Sequence, residues 1–247
     1  MLKFVSAAAV LAIASGASAS LVYGTSFEAP TFAAGALNGQ AGWVADAGSV
    51  TNNPARAHTG SQFASMTGAQ IGASGKWAWE STHAIGPAQL AINPIVRASV
   101  WVGMGGDAGT RTYTAGLDLY DAFTARIGLV YIASDGSIGV IDGASNVFTS
   151  AAGLINPNVY HKLAVEANFA SHTIRFFVDG VDSGVNGVFS STDFADADIR
   201  GTRTTGTGGA AFVTAFDDYL IENESIPAPA SLALLGMGFV AGGRRRR

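Results

Sequence analysis

Tyr160-His161-Lys162-Leu163-Ala164-Val165-Glu166-Ala167-Asn168-Phe169, then a three-residue turn, then Thr173-Ile174-Arg175-Phe176-Phe177-Val178-Asp179-Gly180 decide the fold. In the first run Leu163, Val165 and Ala167 alternate with Lys162 and Glu166, the period-two pattern of a strand with one buried face. The second run follows after a short turn and ends in Asp-Gly, a dipeptide that joins neighbouring strands. The two runs therefore predict a hairpin. The same alternation extends outward to residues 95–102, 113–120, 125–133 and 211–221. Ser134-Asp135-Gly136 is a second turn signal of the same type. No stretch between residues 20 and 225 keeps a 3.6-residue period for three turns. About a dozen short strands over some 200 residues predict an all-β, two-sheet antiparallel sandwich.

Composition agrees with this and narrows the function. Residues 20–225 contain 27 glycines, set singly or in pairs between short apolar runs as turn punctuation. Charged residues make up 13% of the 247-residue chain, against roughly 25% in an average globular protein. Residues 20–225 hold all 18 Asp and Glu but only nine Lys and Arg, a net charge of −9. An acidic body repels phosphate backbones, so nucleic acid is excluded as a partner. With no cysteine, there is no disulfide framework, thiolate metal site or thiol catalysis.

The aromatic-His-x-Leu strand at residues 160–163 and the Val178-Asp179-Gly180 hairpin resemble the concanavalin A-like, laminin G-like jelly rolls. That resemblance implies a two-sheet antiparallel jelly-roll sandwich with a concave sheet that binds carbohydrate or protein. The Phe27-Glu28 opening and the Phe216-Asp217-Asp218-Tyr219 ending resemble bacterial carbohydrate-binding modules.

Both ends of the chain read as addresses rather than fold. Lys3, the apolar run 4–14 and the small-x-small sequence Ala17-Ser18-Ala19 have the order of a secretory signal peptide, residues 1–19. Signal peptidase would leave Ser20 as the new N-terminus. At the other end, Pro227-Ala228-Pro229 breaks the chain, residues 230–243 carry no charge, and Arg244, Arg245, Arg246 and Arg247 close it. As a short hydrophobic helix, residues 230–243 would reach about 21 Å, less than the ~30 Å hydrocarbon core. The arginines would hold it on the cytoplasmic side, a transient membrane anchor. This segment, 226–247, resembles the PEP-CTERM sorting signal, also described as an ice-binding-protein C-terminal motif. The resemblance implies recognition and cleavage by an exosortase-type enzyme. It departs from the motif at Ala228, where the name-giving sequence has Glu. Together the ends predict an exported protein of a Gram-negative-type bacterium, first anchored at the inner membrane, then placed on the cell surface or in extracellular matrix.

Chemistry is sparse in the body, 20–225. A retaining glycosidase on this fold needs two carboxylic acids projecting from one strand into a cleft. Glu166-Ala167-Asn168 has Asn in place of the second acid. Nucleophile-elbow and phosphate-loop motifs are absent, and the four histidines lack metal-ligand spacing. No catalytic residues are predicted. Asp193, Asp196 and Asp198 form the densest acidic cluster and read as a solvated loop, or alternatively as calcium-binding oxygens. Trp77 and Trp79, two apart on a strand, share a face. They either fill the core or form a platform on which sugar rings stack. Glu28 and Asp217 are expected to meet where the terminal strands neighbour, with a structural calcium ion relieving their repulsion. Alternation allows only one of Asp217 and Asp218 to share the side of Glu28.

The function expected from these features is a non-catalytic carbohydrate- or glycoprotein-binding module, processed by signal peptidase and an exosortase. A divergent glycoside hydrolase or lyase on the same fold and a purely structural matrix protein are the alternatives.

Overall fold

A computed structural model describes residues 19–225. Sixteen strands and one short helix succeed one another. The strands are β1 Ala19–Thr25, β2 Gly35–Ala36, β3 Trp43–Ala45, β4 Ser49–Asn52, β5 Gln62–Thr67 and β6 Lys76–Glu80. Helix α1, Pro87–Leu90, precedes β7 Ile95–Gly105, β8 Tyr113–Tyr120, β9 Arg126–Ala133, β10 Ile138–Asp142 and β11 Val147–Thr149. The chain ends with β12 His161–Asn168, β13 Thr173–Val178, β14 Val181–Val188, β15 Asp196–Arg203 and β16 Val213–Glu224. They form two antiparallel sheets, the jelly-roll sandwich expected. The first sheet runs β14-β13-β12-β7-β16-β5-β4-β2, with β1 also on β16; the second runs β11-β10-β9-β8-β15-β6-β3. Among the described residues no helix is long and apolar enough to cross a membrane. The expected signal peptide, apart from Ala19, and the expected C-terminal helix lie outside the described residues. Ala19, the last residue of that expected signal, pairs with Glu224 as the first rung of β1 on β16.

The hairpin formed by the 160–180 segment is present as expected. β12 and β13 pair from Leu163 opposite Val178 to Asn168 opposite Thr173. Asp179 and Gly180 have φ of 52° and 78°, so the two-residue turn into β14 has both central residues left-handed, which fits the twist of the strands it joins. His161 is pinned here. Its Nδ1 lies 2.7 Å from Asp179 Oδ2 and its Nε2 lies 2.9 Å from the Asn156 carbonyl.

Alternation builds the core between the sheets. Val96, Ala98, Val100 and Val102 of β7, and Leu163, Val165 and Ala167 of β12, face Tyr113, Ala115, Leu117 and Leu119 of β8. All of these are fully buried. Each buried Val or Leu side chain contributes about 1.5–3 kcal/mol by leaving water, which holds the domain together without disulfides.

The outward faces differ. On the first sheet Arg97, Glu166, Arg175 and Asp182 form a charged ladder around Phe177. The second sheet carries aromatic rings and carboxylates instead.

Candidate functional site

Three neighbouring strands of the second sheet, β6, β15 and β8, set out the site. Ile199 pairs with Ala78 and with Leu117, so these three point inward together. Their strand neighbours Trp77, Trp79, Asp198, Arg200 and Asp118 must then point outward. Trp77 and Trp79 are half-buried on this outer face and take no part in the core. The indole in the core is that of Trp43, which hydrogen-bonds to Tyr23. Trp77, Trp79 and Tyr120 line a cavity of about 440 Å³ together with Asp46, Asp121, Asp196, Asp198 and Thr124. That volume is within the usual range for a small-molecule site.

The carboxylates at this surface have distinct roles. Asp118 is fully buried and grips Arg126 at both oxygens, Nε at 2.7 Å and Nη2 at 3.0 Å. Tyr120 donates to the same carboxylate at 2.8 Å. Burial, with the Asp118 charge beside it, pushes the Tyr120 hydroxyl up to about 12. Asp121 accepts from the Phe123 and Ala125 amides and from Ser191 Oγ, closing the β8–β9 turn. Asp196 and Asp198 lie side by side on β15. Burial raises both carboxyls, Asp196 to about 6 and Asp198 well above the usual range; the neighbouring charges add to the rise at Asp198, and the Asp118 charge to that at Asp196. The Asp196 charge opposes ionisation of Asp198 beside it. Asp198 Oδ1, Trp77 Nε1 and Arg200 Nε are buried with no partner among the described residues. Native interiors leave few such groups, and three of them cluster here.

Asp196 and Asp198 therefore stand in the middle of a sheet and not in the solvated loop expected from their charge. Asp193, outside the strand, accepts from the Ala122 amide at 2.9 Å.

The terminal strands pair as expected, and Glu28, Asp217 and Asp218 converge on one loop. Glu28 accepts from the Ser61 and Gln62 amides and from Ser61 Oγ. Burial alone would raise Glu28, but these donors hold it below the usual range. Asp217 Oδ2 accepts from the His58 and Thr59 amides, at 2.9 and 3.1 Å, and Oδ1 from the Asp218 amide. Burial nonetheless pushes Asp217 up to about 6. Asp218 also reaches this loop, at His58 Nδ1 and Thr59 Oγ1. The two aspartates share a side because β16 bulges between Asp217 and Leu220, with Asp218 at a φ of 45°. Regular alternation, assumed in the sequence reading, fails there. Amide and hydroxyl donors meet every oxygen of Glu28 and Asp217, so the loop is held without a cation. Among the described residues no group of three or more His, Cys, Asp or Glu side chains could hold a metal ion. As it stands, this arrangement does not fit the calcium ion proposed from the sequence.

A second cavity of about 530 Å³ lies where β10 and β11 meet β13 and β14, and is lined mainly by apolar groups such as Ile138, Val140, Phe148 and Leu154. Asp179, Asp182 and Ser183 also line it, but no indole does. Sequence reasoning missed Tyr120, Asp118, Arg126 and Arg200. A usable signal was present in the alternation of 114–120 and 196–202, which puts acidic, basic and aromatic residues on one side of both strands.

Comparison with known proteins follows the same division between body and tail. Residues 225–247 match the PEP-CTERM protein-sorting motif. No curated protein matches the chain. Among solved structures the chain is similar to the CBM2 module of the evolved Dit of Lactobacillus casei BL23 phage J-1, at 12% identity and a TM-score of 0.51 over 86% of this chain and 99% of that one. It is similar to the carbohydrate recognition domain of Emp47p at 9% identity and a TM-score of 0.50, over 84% and 97%. A sialidase aligns with 73% of this chain at 11% identity and a TM-score of 0.48, and the chain spans 17% of that protein's length. At these identities the likeness is one of fold: an all-β jelly-roll sandwich followed by a PEP-CTERM sorting motif.

Proposed function

We propose that the protein is an exported, non-catalytic carbohydrate-binding module whose ligand lies in the cavity over β6, β8 and β15. One observation carries the reading: Trp77 and Trp79 project side by side from the sheet into a cavity edged by carboxylates. Indole faces offer flat apolar area to the C–H face of a sugar ring, and carboxylates accept from its hydroxyls. The solved structures similar in fold, a carbohydrate-binding module and a carbohydrate recognition domain, support the same class. A glycoside hydrolase is the weaker reading. One of its carboxyl groups must stay ionised while the other carries the proton, whereas burial raises both Asp196 and Asp198.

The PEP-CTERM motif supports export, a membrane-associated sorting step at the C-terminus and processing by an exosortase-type enzyme. Signal peptidase would act after Ala19, and the body would end at the envelope or in extracellular matrix. The test is a glycan array probed with the full chain and with Trp79→Ala. Glycan binding that Trp79→Ala removes is expected. Absence of binding, or binding unaffected by the substitution, would overturn the assignment.

A further inference from the structure

We infer that this cavity takes a sugar ring bearing a free ammonium group, an amino-sugar unit of a polysaccharide, in preference to a neutral or uronic acid unit. The inference rests on the carbohydrate-binding reading above and narrows it.

Charge points this way first. Four carboxylates line the cavity and no Lys or Arg does. The two nearby guanidiniums are engaged. Arg126 is clamped on Asp118, and Arg200 sits 3.8 Å from the same carboxylate and over the Trp77 ring at 5.4 Å. Asp121 is satisfied by its own turn and by Ser191. That leaves Asp46, Asp196 and Asp198 to face a ligand. A uronate would add a further negative charge to an already acidic site.

Hydrogen bonding points the same way. Asp198 is 7% exposed, lines the cavity, and no N–H or hydroxyl of the described residues donates to its Oδ1. Leaving a buried acceptor unmet is costly. An ammonium group brings three donors and a compensating charge; a hydroxyl brings one donor and no charge. The Arg200–Trp77 stack shows that this face already accommodates a cation against an indole. The paired indoles favour a ring over a bare alkylamine, because only a ring covers both flat faces.

The test is calorimetric titration of the full chain, at about pH 6.5, with four probes: a β-1,4-linked glucosamine pentamer, its fully N-acetylated counterpart, cellopentaose and hexalysine. The glucosamine pentamer should bind at least about tenfold more tightly than each of the others, the factor one charge-assisted hydrogen bond contributes. Its binding should weaken as salt rises. Asp198→Asn and Asp196→Asn should each erase the preference for the amine while leaving residual binding of the ring. Having both variants guards against one failing to fold. Equal binding of the acetylated or neutral pentamer would overturn the ammonium inference while carbohydrate binding stands. Equal binding of hexalysine would overturn the sugar class. Binding of none of the four would overturn this inference, and the array then decides the broader reading separately.

Discussion

Replacing Asp198 by Asn should make the protein more stable at neutral pH and leave it unchanged in acid. Asp196 and Asp198 are both raised above the ordinary carboxyl value of 3.8. Between about pH 4 and 7 the folded chain thus keeps protons that the unfolded chain has released, and stability falls as pH rises. What these carboxyls contribute below the unfolded value is lost as pH climbs through about 6 and beyond. Asp196, the less buried of the pair, sets the scale for Asp198: a rise from 3.8 to about 6 at about 1.4 kcal/mol per pH unit gives about 3 kcal/mol, which partial wetting of the rim reduces to about 1–2 kcal/mol. The asparagine introduced by Asp198→Asn has no proton to lose, and its amide can donate to Asp196. The other groups facing the pair are Asp118, Tyr120, Arg126, Arg200, Asp121 and Asp46, with Tyr219 from the opposite sheet. They are common to both proteins and cancel in the comparison, as does the raised Asp217. In thermal melts from about pH 4 to 8 the variant should match the wild type at pH 4 and exceed it by about 2–8 °C at pH 7, at 2–4 °C per kcal/mol for a chain of this size. A difference that does not change with pH, or a variant less stable at pH 7, would refute the raised carboxyls.

Other outcomes follow from the same structure. Gly180→Ala places a Cβ at a φ of +78° in the β13–β14 turn, where nothing lies within 4 Å, so its cost is backbone strain alone. Chemical denaturation should show a loss of about 1–2 kcal/mol with an unchanged slope. The calcium ion proposed for Glu28 and Asp217 is tested by melts in calcium and in chelator. Because the 58–62 loop already satisfies both carboxylates, melting temperatures within about 1 °C are expected, and a clear rise in calcium would restore the ion. The export reading predicts that intact mass of the native protein begins at Ser20 and lacks Arg244 to Arg247. Full-length protein recovered from the cytosol would contradict it.

Most of the sandwich was legible because apolar residues alternate cleanly where one face is buried, as in β7, β8, β9, β12, β13 and β16. β15 was not, because Asp196, Asp198 and Arg200 fill its outward positions and charge reads as loop; yet Ala197 and Ile199 keep the period. β14 escaped because it is an edge strand, largely exposed and interrupted by Gly184 and Gly187. Spacing put Trp77 and Trp79 on one face without saying which. The side was decided by Ala78, whose small side chain is fully buried between the sheets. The convergence of Asp217 and Asp218 could not be read at all, since it depends on a bulge that no residue type there announces. Of the partners of Asp118, Tyr120 and Arg126 are close in sequence, but Arg200 comes from β15, and local patterns carry no record of that pairing.

Entry of ligand into the cavity over β6, β8 and β15 can be watched at the four tryptophan indole N–H signals. A two-dimensional nitrogen–proton spectrum would be recorded while the glycan that binds best on the array is added. Trp77 and Trp79 line the cavity. Trp43 is buried on the Tyr23 hydroxyl, and Trp101 is stacked on His58 at 3.9 Å on the other sheet. The Trp77 and Trp79 signals should move on saturation while those of Trp43 and Trp101 stay. Movement of Trp101 or Trp43 alone, or of none at saturating glycan, would contradict ligand binding at this cavity.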